Sequence, residues 1–120
     1  MQIPSTTQRG FDAQQRAERY LRQLGLVIIA RNYRCKVGEL DLIARAGDEL
    51  IFVEVRSCAN ADHGGAALAA GPAKQAQVAR VAEWYIADVR PQFDTCRFDV
   101  IAITADHIEH FVDAFRPGLA

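Results

Sequence analysis

Two short stretches of the sequence bring acidic residues into a regular relation across a tight turn. Gly47-Asp48 is a two-residue hairpin signal between two strand-like segments. With that loop, the numbers of paired residues sum to 95, because 47 and 48 sum to 95. The register therefore predicts that Asp41 faces Glu54 and that Glu39 faces Arg56. Since side chains alternate along a strand, all four are expected on one face of the sheet.

The predicted pair of carboxylates suits a divalent metal ion. Directly opposed residues have Cβ atoms about 4.5–5.5 Å apart, and like charges at that distance destabilise a sheet. Burial would increase the cost, so a proton, a cation or a metal ion must compensate. Asp41 and Glu54 could share Mg²⁺ or Mn²⁺, which would activate a water, and Arg56 could bind a phosphate. The alternative is that both acids lie at a solvated rim, where Arg56 or Arg45 neutralises them.

The surrounding pattern predicts a small α/β domain with this hairpin in its centre. Residues 50–56 are apolar on both faces, which is typical of a buried central strand. A long helix after that strand implies a crossover, so the third and fourth strands should be parallel. Asp12 is expected to cap the first helix and Gly25 to end it. The predicted order is α-β-β-β-α-β-β, a mixed sheet flanked by helices. The elements are helices over residues 12–24 and 72–89, and strands over residues 26–34, 39–46, 50–56, 96–104 and 107–113.

Composition and charge restrict the class of protein. The 120 residues favour one domain, expected over residues 10–116 after a flexible tail over residues 1–9. No apolar run is long enough for a membrane span or a signal peptide, and three cysteines without a Cys-x-x-Cys pair favour a reduced, cytoplasmic protein. Residues 1–45 carry eight basic and four acidic side chains (+4), whereas residues 46–120 carry six and eleven (−5). The basic half is compatible with a phosphate-facing surface, and the alternative is an ordinary solvated face.

Two other groups of titratable residues lie outside the hairpin. Asp99, on the fourth predicted strand, is expected to be structural and to pair with Arg97 or with a strand neighbour. His107 and His110 are three residues apart and would point to opposite faces of a strand, so they are not expected to form a zinc pair.

The hairpin motif resembles that of a known protein family. Residues 38–44 read Gly-Glu-Leu-Asp-Leu-Ile-Ala, and residues 52–56 read Phe-Val-Glu-Val-Arg. This pair is similar to the Gly-Glu-Ile-Asp-Leu-Ile and Phe-Val-Glu-Val-Lys pattern of the YraN-like family, which consists of small, poorly characterised bacterial proteins. The resemblance implies a relation to Holliday-junction resolvases of the PD-(D/E)xK nuclease superfamily and a restriction-endonuclease-like fold. Further matches in order and spacing occur at residues 17–25, 31–34, 64–65, 74, 97–100 and 114–115.

The resemblance implies a role for each residue of the motif. Asp41 and Glu54 are the expected catalytic and metal-binding acids, with the backbone carbonyl of Val55 as a further metal ligand. Arg56 stands where the family has the lysine that contacts the attacking water or the scissile phosphate. Four further side chains are expected around them: Glu39 and Gln14 as auxiliary groups, and Lys74 and Arg34 as substrate-binding groups.

Three departures from the family pattern leave more than one function open. Gln14 stands in place of an acid, Arg56 in place of lysine, and Cys58 in place of arginine. An arginine stays protonated, so it cannot act as a base, although it can stabilise negative charge.

The first hypothesis is a Mg²⁺- or Mn²⁺-dependent DNA endonuclease that acts on branched or damaged DNA. The second is a nuclease-fold protein that binds nucleic acid or a protein partner without cleavage, and the third is an interaction domain without nucleic-acid binding. A homodimer is expected by analogy with resolvases, and no membrane association is expected.

Overall fold

The computed structural model describes residues 6–57 and 71–116, and it describes side chains from residue 12 onward. The elements follow the predicted order α-β-β-β-α-β-β, which confirms the α/β fold class. Each strand agrees with its predicted range to within two residues. The elements are α1 (Thr6–Gln23), β1 (Val27–Cys35), β2 (Gly38–Ala46), β3 (Glu49–Ser57), α2 (Pro72–Val89), β4 (Thr95–Ile103) and β5 (Ile108–Phe115).

The five strands of the described chain form one sheet in the order β1-β2-β3-β4-β5. Neighbouring strands are antiparallel, except that β3 and β4 are parallel. Helix α2 provides the crossover between them, as the sequence predicted. The carboxyl ends of β3 and β4 therefore meet at one edge of the sheet, where Ser57 pairs with Ile103.

The two helices cover opposite faces of the sheet. Along β3, Ile51 and Val53 pack in the cluster that includes α1, whereas Leu50 and Phe52 pack in the cluster that includes α2. All four side chains are at most 1% exposed, which explains why β3 is apolar on both faces. Each contributes about 1.5–3 kcal/mol through burial. Glu54 follows Phe52 by two residues, so it lies on the face that α2 covers.

The ends of α1 confirm one prediction and correct another. The helix begins at Thr6, so Asp12 is not its cap, and residues 6–9 of the expected tail are helical. The segment before Asp12 is largely polar, and it therefore carries no apolar periodicity that could show the helix in the sequence. Gly25 ends the helix at φ +91°, and the N–H groups of Gly25 and Leu26 donate to carbonyls of the last turn at 2.9 and 3.1 Å. Neither helix in the described ranges has the length and apolar character that crossing a membrane requires.

Candidate active site

The hairpin that joins β2 and β3 has the predicted register at the turn but not at the acids. Its five pairs each sum to 95 and end at Leu42 with Val53. The pair expected next, Asp41 with Glu54, is not part of the ladder. Instead, the Asp41 carboxylate accepts a hydrogen bond from the backbone N–H of Val55 at 2.8 Å. In a continued ladder this N–H group would donate to a backbone carbonyl of β2. Here it donates to the side chain of Asp41, at the point where the two strands separate.

Glu39 also has a different partner from the one predicted. It pairs with Arg34 across β1 and β2, and Nε of Arg34 lies 3.3 Å from Oε2 of Glu39. The predicted pair of Glu39 with Arg56 is wrong, because the β2–β3 ladder stops before it reaches these residues. The Arg34 side chain is 77% exposed, so this ion pair adds little stability and leaves the guanidinium accessible.

Asp41 and Glu54 form a desolvated pair of carboxylates where β2 and β3 separate. The Glu54 side chain is only 12% exposed. Burial, and then the negative charge of Asp41, raises the pKa of Glu54 to about 7. Burial also raises the pKa of Asp41, against the opposing effect of the Val55 hydrogen bond, and the charge of Glu39 adds to the increase. Glu54 therefore does not lie at a solvated rim.

Two cations face the acids from different elements. Nζ of Lys74, in the first turn of α2, lies 3.6 Å from Oε2 of Glu54. Arg56 lies on the same face of β3 as Glu54, two residues further along. Their positive charges oppose the effect of burial on the pKa values of both acids but do not cancel it. Nε of Arg56 is buried and has no hydrogen-bond partner within the described part of the chain.

Val55 and Gln14 differ in their relation to the acids. The N–H of Val55 is directed at Asp41, and its carbonyl points to the same side because the N–H and C=O of one strand residue share a direction. Gln14 is half-buried on α1, across the sheet from α2. Arg16, two residues further along α1, donates to the carbonyl of Thr104 directly after β4. Among the residues that the structure describes, no hydrogen bond or ion pair joins Gln14 to either acid. Cys58, where the family pattern has arginine, lies outside the described residues.

A second polar cluster lies on the α1 face of the sheet, and the sequence indicated only part of it. Asp99 is fully buried on β4 and accepts hydrogen bonds from Nε of Arg97 at 3.0 Å and from the backbone N–H of Asp113 at 2.9 Å. Its carboxylate also forms a 2.7 Å hydrogen bond with Nε2 of His110, whose Nδ1 lies 3.1 Å from the Tyr20 hydroxyl. Burial acts to raise the pKa of Asp99, but the hydrogen bonds from His110, Arg97 and Asp113 hold it below its ordinary value. The predicted pair of Asp99 with Arg97 is confirmed, and the cluster joins α1 and β5 to β4.

The donor set at the acid pair fits a hard divalent cation. Mg²⁺ is usually held by one or two carboxylates, with waters and substrate oxygens completing its coordination. Asp41 uses only Oδ2 for the Val55 hydrogen bond, and Glu54 lies on the same side of the strand pair. Within residues 12–57 and 71–116, no group of three or more His, Cys, Asp or Glu side chains could hold a metal.

The fold and site define a mixed α/β protein with a buried acid pair and two cations where two antiparallel strands separate. The sequence model of "Uncharacterised protein family UPF0102" matches residues 13–103. A UPF0102 protein of Nitrosomonas eutropha is 44% identical over 117 residues, which cover 97% of this chain and 100% of that protein. UPF0102 proteins of Cupriavidus taiwanensis (46% over 120 residues; 99% and 91% covered) and Aeromonas hydrophila (41% over 115 residues; 94% and 88% covered) are also similar. The chain belongs to the UPF0102 family, which confirms the YraN-like resemblance.

Proposed function

We propose that this protein is a Mg²⁺- or Mn²⁺-dependent endonuclease that cleaves phosphodiester bonds in DNA, with branched DNA as the expected substrate. The observation that carries the proposal is the desolvated pair of Asp41 and Glu54 beside Lys74 and Arg56. Two buried like charges lower the stability of the fold, and strongly perturbed carboxylates with specific charged neighbours are typical of functional sites. A divalent cation would offset that cost, and the nearby basic side chains would attract a phosphate.

Each group in the site has a role that its chemistry allows. Asp41, Glu54 and the Val55 carbonyl would hold the metal ion, which when bound supplies an activated water and neutralises charge on the phosphate. Lys74 positions the phosphate near the N-terminus of α2, where the helix dipole also favours an anion. Arg56 stays protonated, so it stabilises the negative charge that develops on the phosphate and does not remove a proton.

A second candidate function is supported by the contact between Lys74 and Glu54. At 3.6 Å, the lysine already compensates one acid with a positive charge from the chain itself. Together with arginine at residue 56, this favours a protein that keeps the nuclease fold and binds DNA or a protein partner without cleavage. The two candidates differ in whether a metal ion binds productively at the acid pair.

The test compares branched and linear DNA with the purified protein, in Mg²⁺, in Mn²⁺ and in excess chelator. Asp41→Asn and Glu54→Gln remove one negative charge each with little change of shape, and Glu83→Gln, on the exposed side of α2, is the matched control. The endonuclease proposal expects metal-dependent cleavage that both site variants abolish and the control retains. Cleavage that survives Asp41→Asn or Glu54→Gln would contradict it. Calorimetric Mn²⁺ binding without turnover would favour the second candidate.

A further inference from the structure

A surface cleft lies between β1 and the outer side of α2, separate from the acid pair. Its volume is about 430 Å³, and its walls include the aromatic rings of Tyr33 and Trp84, the cations Arg34 and Lys36, and Asp88. Trp84 is 42% exposed, so its indole is accessible from the cleft. The combination of an exposed aromatic ring and cations is typical of surfaces that bind single-stranded nucleic acid.

The walls of this cleft are held in place by packing between the β1–β2 hairpin and α2. Nε2 of Gln77 donates to the carbonyl of Val37 at 3.1 Å. The hairpin approaches so closely that a Cβ atom on Gly38 would lie 3.0 Å from Nε2 of Gln77. On the other side, the Tyr33 hydroxyl donates to Asp88 at 3.4 Å. The cleft therefore exists before any ligand binds, which lowers the entropic cost of binding.

The cleft and the candidate active site lie along the same helix, α2. Lys74 contacts Glu54 at the beginning of α2, Gln77 contacts the hairpin one turn later, and Trp84 lies further along the same helix. Ten residues separate Lys74 from Trp84, which corresponds to about 15 Å along the helix axis. Successive phosphates of one duplex strand rise by about 3.4 Å, so a strand of a few nucleotides spans this distance.

The charges along the cleft favour an anionic ligand. Arg34 and Lys36 oppose the single carboxylate of Asp88, which gives the lining a net charge of 2 − 1 = +1 on a chain whose total is −1. Lys36 is exposed, and no ion pair to it occurs within the part of the chain that the structure describes. Asp88 already accepts the Tyr33 hydrogen bond. Lys36 is therefore available to a phosphate, the Arg34 guanidinium is 77% exposed beside its partner Glu39, and a base can reach the indole of Trp84.

We infer that this cleft binds an unpaired nucleic-acid strand that continues into the active site. Trp84 stacks on a base, Lys36 and Arg34 contact phosphates, and the strand leads towards Lys74. The inference rests on the proposed function only in placing a phosphate beside Lys74. It adds a substrate class, namely DNA with a single-stranded segment next to the cleavage point.

Trp84 is the only tryptophan in the chain, so its fluorescence reports on the cleft in the natural protein. The probe is oligothymidylate in chelator, with a blunt duplex of equal length as the comparison. We expect saturable quenching by oligothymidylate, weaker quenching by the duplex, and affinity that falls with salt. Lys36→Ala should reduce the slope of log affinity against log salt by about 0.7. Arg19→Ala, exposed on α1 across the sheet, should leave the affinity unchanged.

Variants of Trp84 are followed by anisotropy of a labelled oligonucleotide, because they remove the fluorophore. Trp84→Ala should weaken binding about 5- to 150-fold, as expected for the loss of one stacked base, whereas Trp84→Phe should keep most of the affinity. Unchanged affinity in Trp84→Ala, or no quenching by oligothymidylate, overturns the inference. Equal quenching by polyglutamate also overturns it, since the cleft would then bind any acidic chain.

The same samples separate this inference from the proposed nuclease activity. Asp41→Asn and Glu54→Gln should abolish cleavage but leave oligothymidylate quenching intact. If Trp84→Ala cleaves branched DNA with an unchanged KM, the cleft does not bind the substrate during cleavage, and the inference is wrong. The acid pair would still be the active site. Quenching that persists in a natural protein without any metal-dependent cleavage would support the strand-binding cleft and contradict the endonuclease.

Discussion

Replacing Glu54 by glutamine tests how much the buried acid pair destabilises the fold. The folded protein raises the pKa of Glu54 from the ordinary 4.5 to about 7. Well below pH 4.5 the carboxyl is protonated in both the folded and the unfolded chain, so it costs nothing. As the pH rises towards 7, the unfolded chain releases this proton while the folded chain keeps it, and the free energy of unfolding falls. Above about pH 7 the loss is complete, because both states are then ionised.

The magnitude follows from the difference between the two pKa values. A change from 4.5 to about 7 corresponds to about 3 kcal/mol, of which the negative charge of Asp41 supplies a part. Glutamine stays neutral at every pH. Glu54→Gln should therefore match the natural protein under acid conditions and become more stable by up to about 3 kcal/mol above pH 7, in the absence of metal.

Urea unfolding across this pH range measures the effect, with a constant m-value as the check that the folded state is preserved. Glu83→Gln, on the exposed side of α2, should change stability by less than about 0.5 kcal/mol at every pH. Adding Mn²⁺ at 100 times its dissociation constant should stabilise the natural protein by about 2.7 kcal/mol and Glu54→Gln much less. A difference between Glu54→Gln and the natural protein that does not change with pH would refute the desolvated acid pair.

Three further substitutions have defined outcomes. Lys74→Met should raise the pKa of Glu54 above about 7, because the lysine charge now opposes burial, and an NMR titration of the carboxyl carbon measures it. Asp99→Asn should lower the free energy of unfolding by about 3–5 kcal/mol at neutral pH, and the contribution of Asp99 in the natural protein should be lost as the pH falls through its lowered folded pKa. Gly38→Ala should cost about 1–3 kcal/mol in urea, because its φ is +149° and the new Cβ would meet α2 at 3.0 Å. Gly47→Ala, at φ +59° in open space, is the matched control and should cost less.

The order of the elements could be predicted because each signal for it is local. Glycines and prolines mark the ends of elements, and the apolar pattern of β3 shows a strand that is buried on both faces. The two-residue turn at Gly47-Asp48 fixed the register of the hairpin, and five pairs follow it. One long helix between two strands made β3 and β4 parallel. None of these steps needs a contact between distant residues.

The end of the ladder at Asp41 could not be predicted in the same way. Counting residues from a turn assumes that backbone donors meet backbone acceptors, whereas here a side chain takes the N–H of Val55. The environment of Asp99 also lies beyond local patterns, since its partner His110 comes from β5 and contacts Tyr20 of α1 in turn. An aspartate directly before the apolar run of residues 100–103 indicated that partners were needed, but only the folded topology adds His110 to Arg97.

Arg56 separates the two candidate functions, because it cannot lose a proton whereas a lysine in a desolvated site can. If arginine at this position prevents turnover, Arg56→Lys combined with Gln14→Glu should create Mn²⁺-dependent cleavage in a protein that otherwise only binds. A gain of about 100-fold or more over the natural protein would match the contribution of one positioned proton-transfer group. Arg80→Lys, exposed on α2, controls for the exchange of arginine for lysine as such.

The opposite result is equally specific. If the natural protein already cleaves DNA, Arg56 acts as a permanent positive charge beside the phosphate. A lysine at this position keeps the charge but cannot donate two parallel hydrogen bonds as the guanidinium does. Arg56→Lys should then lower the rate modestly and leave Mn²⁺ affinity unchanged, because the metal is held by Asp41 and Glu54. Loss of Mn²⁺ affinity in Arg56→Lys would mean that residue 56 organises the acids themselves, and neither candidate as proposed here would account for that.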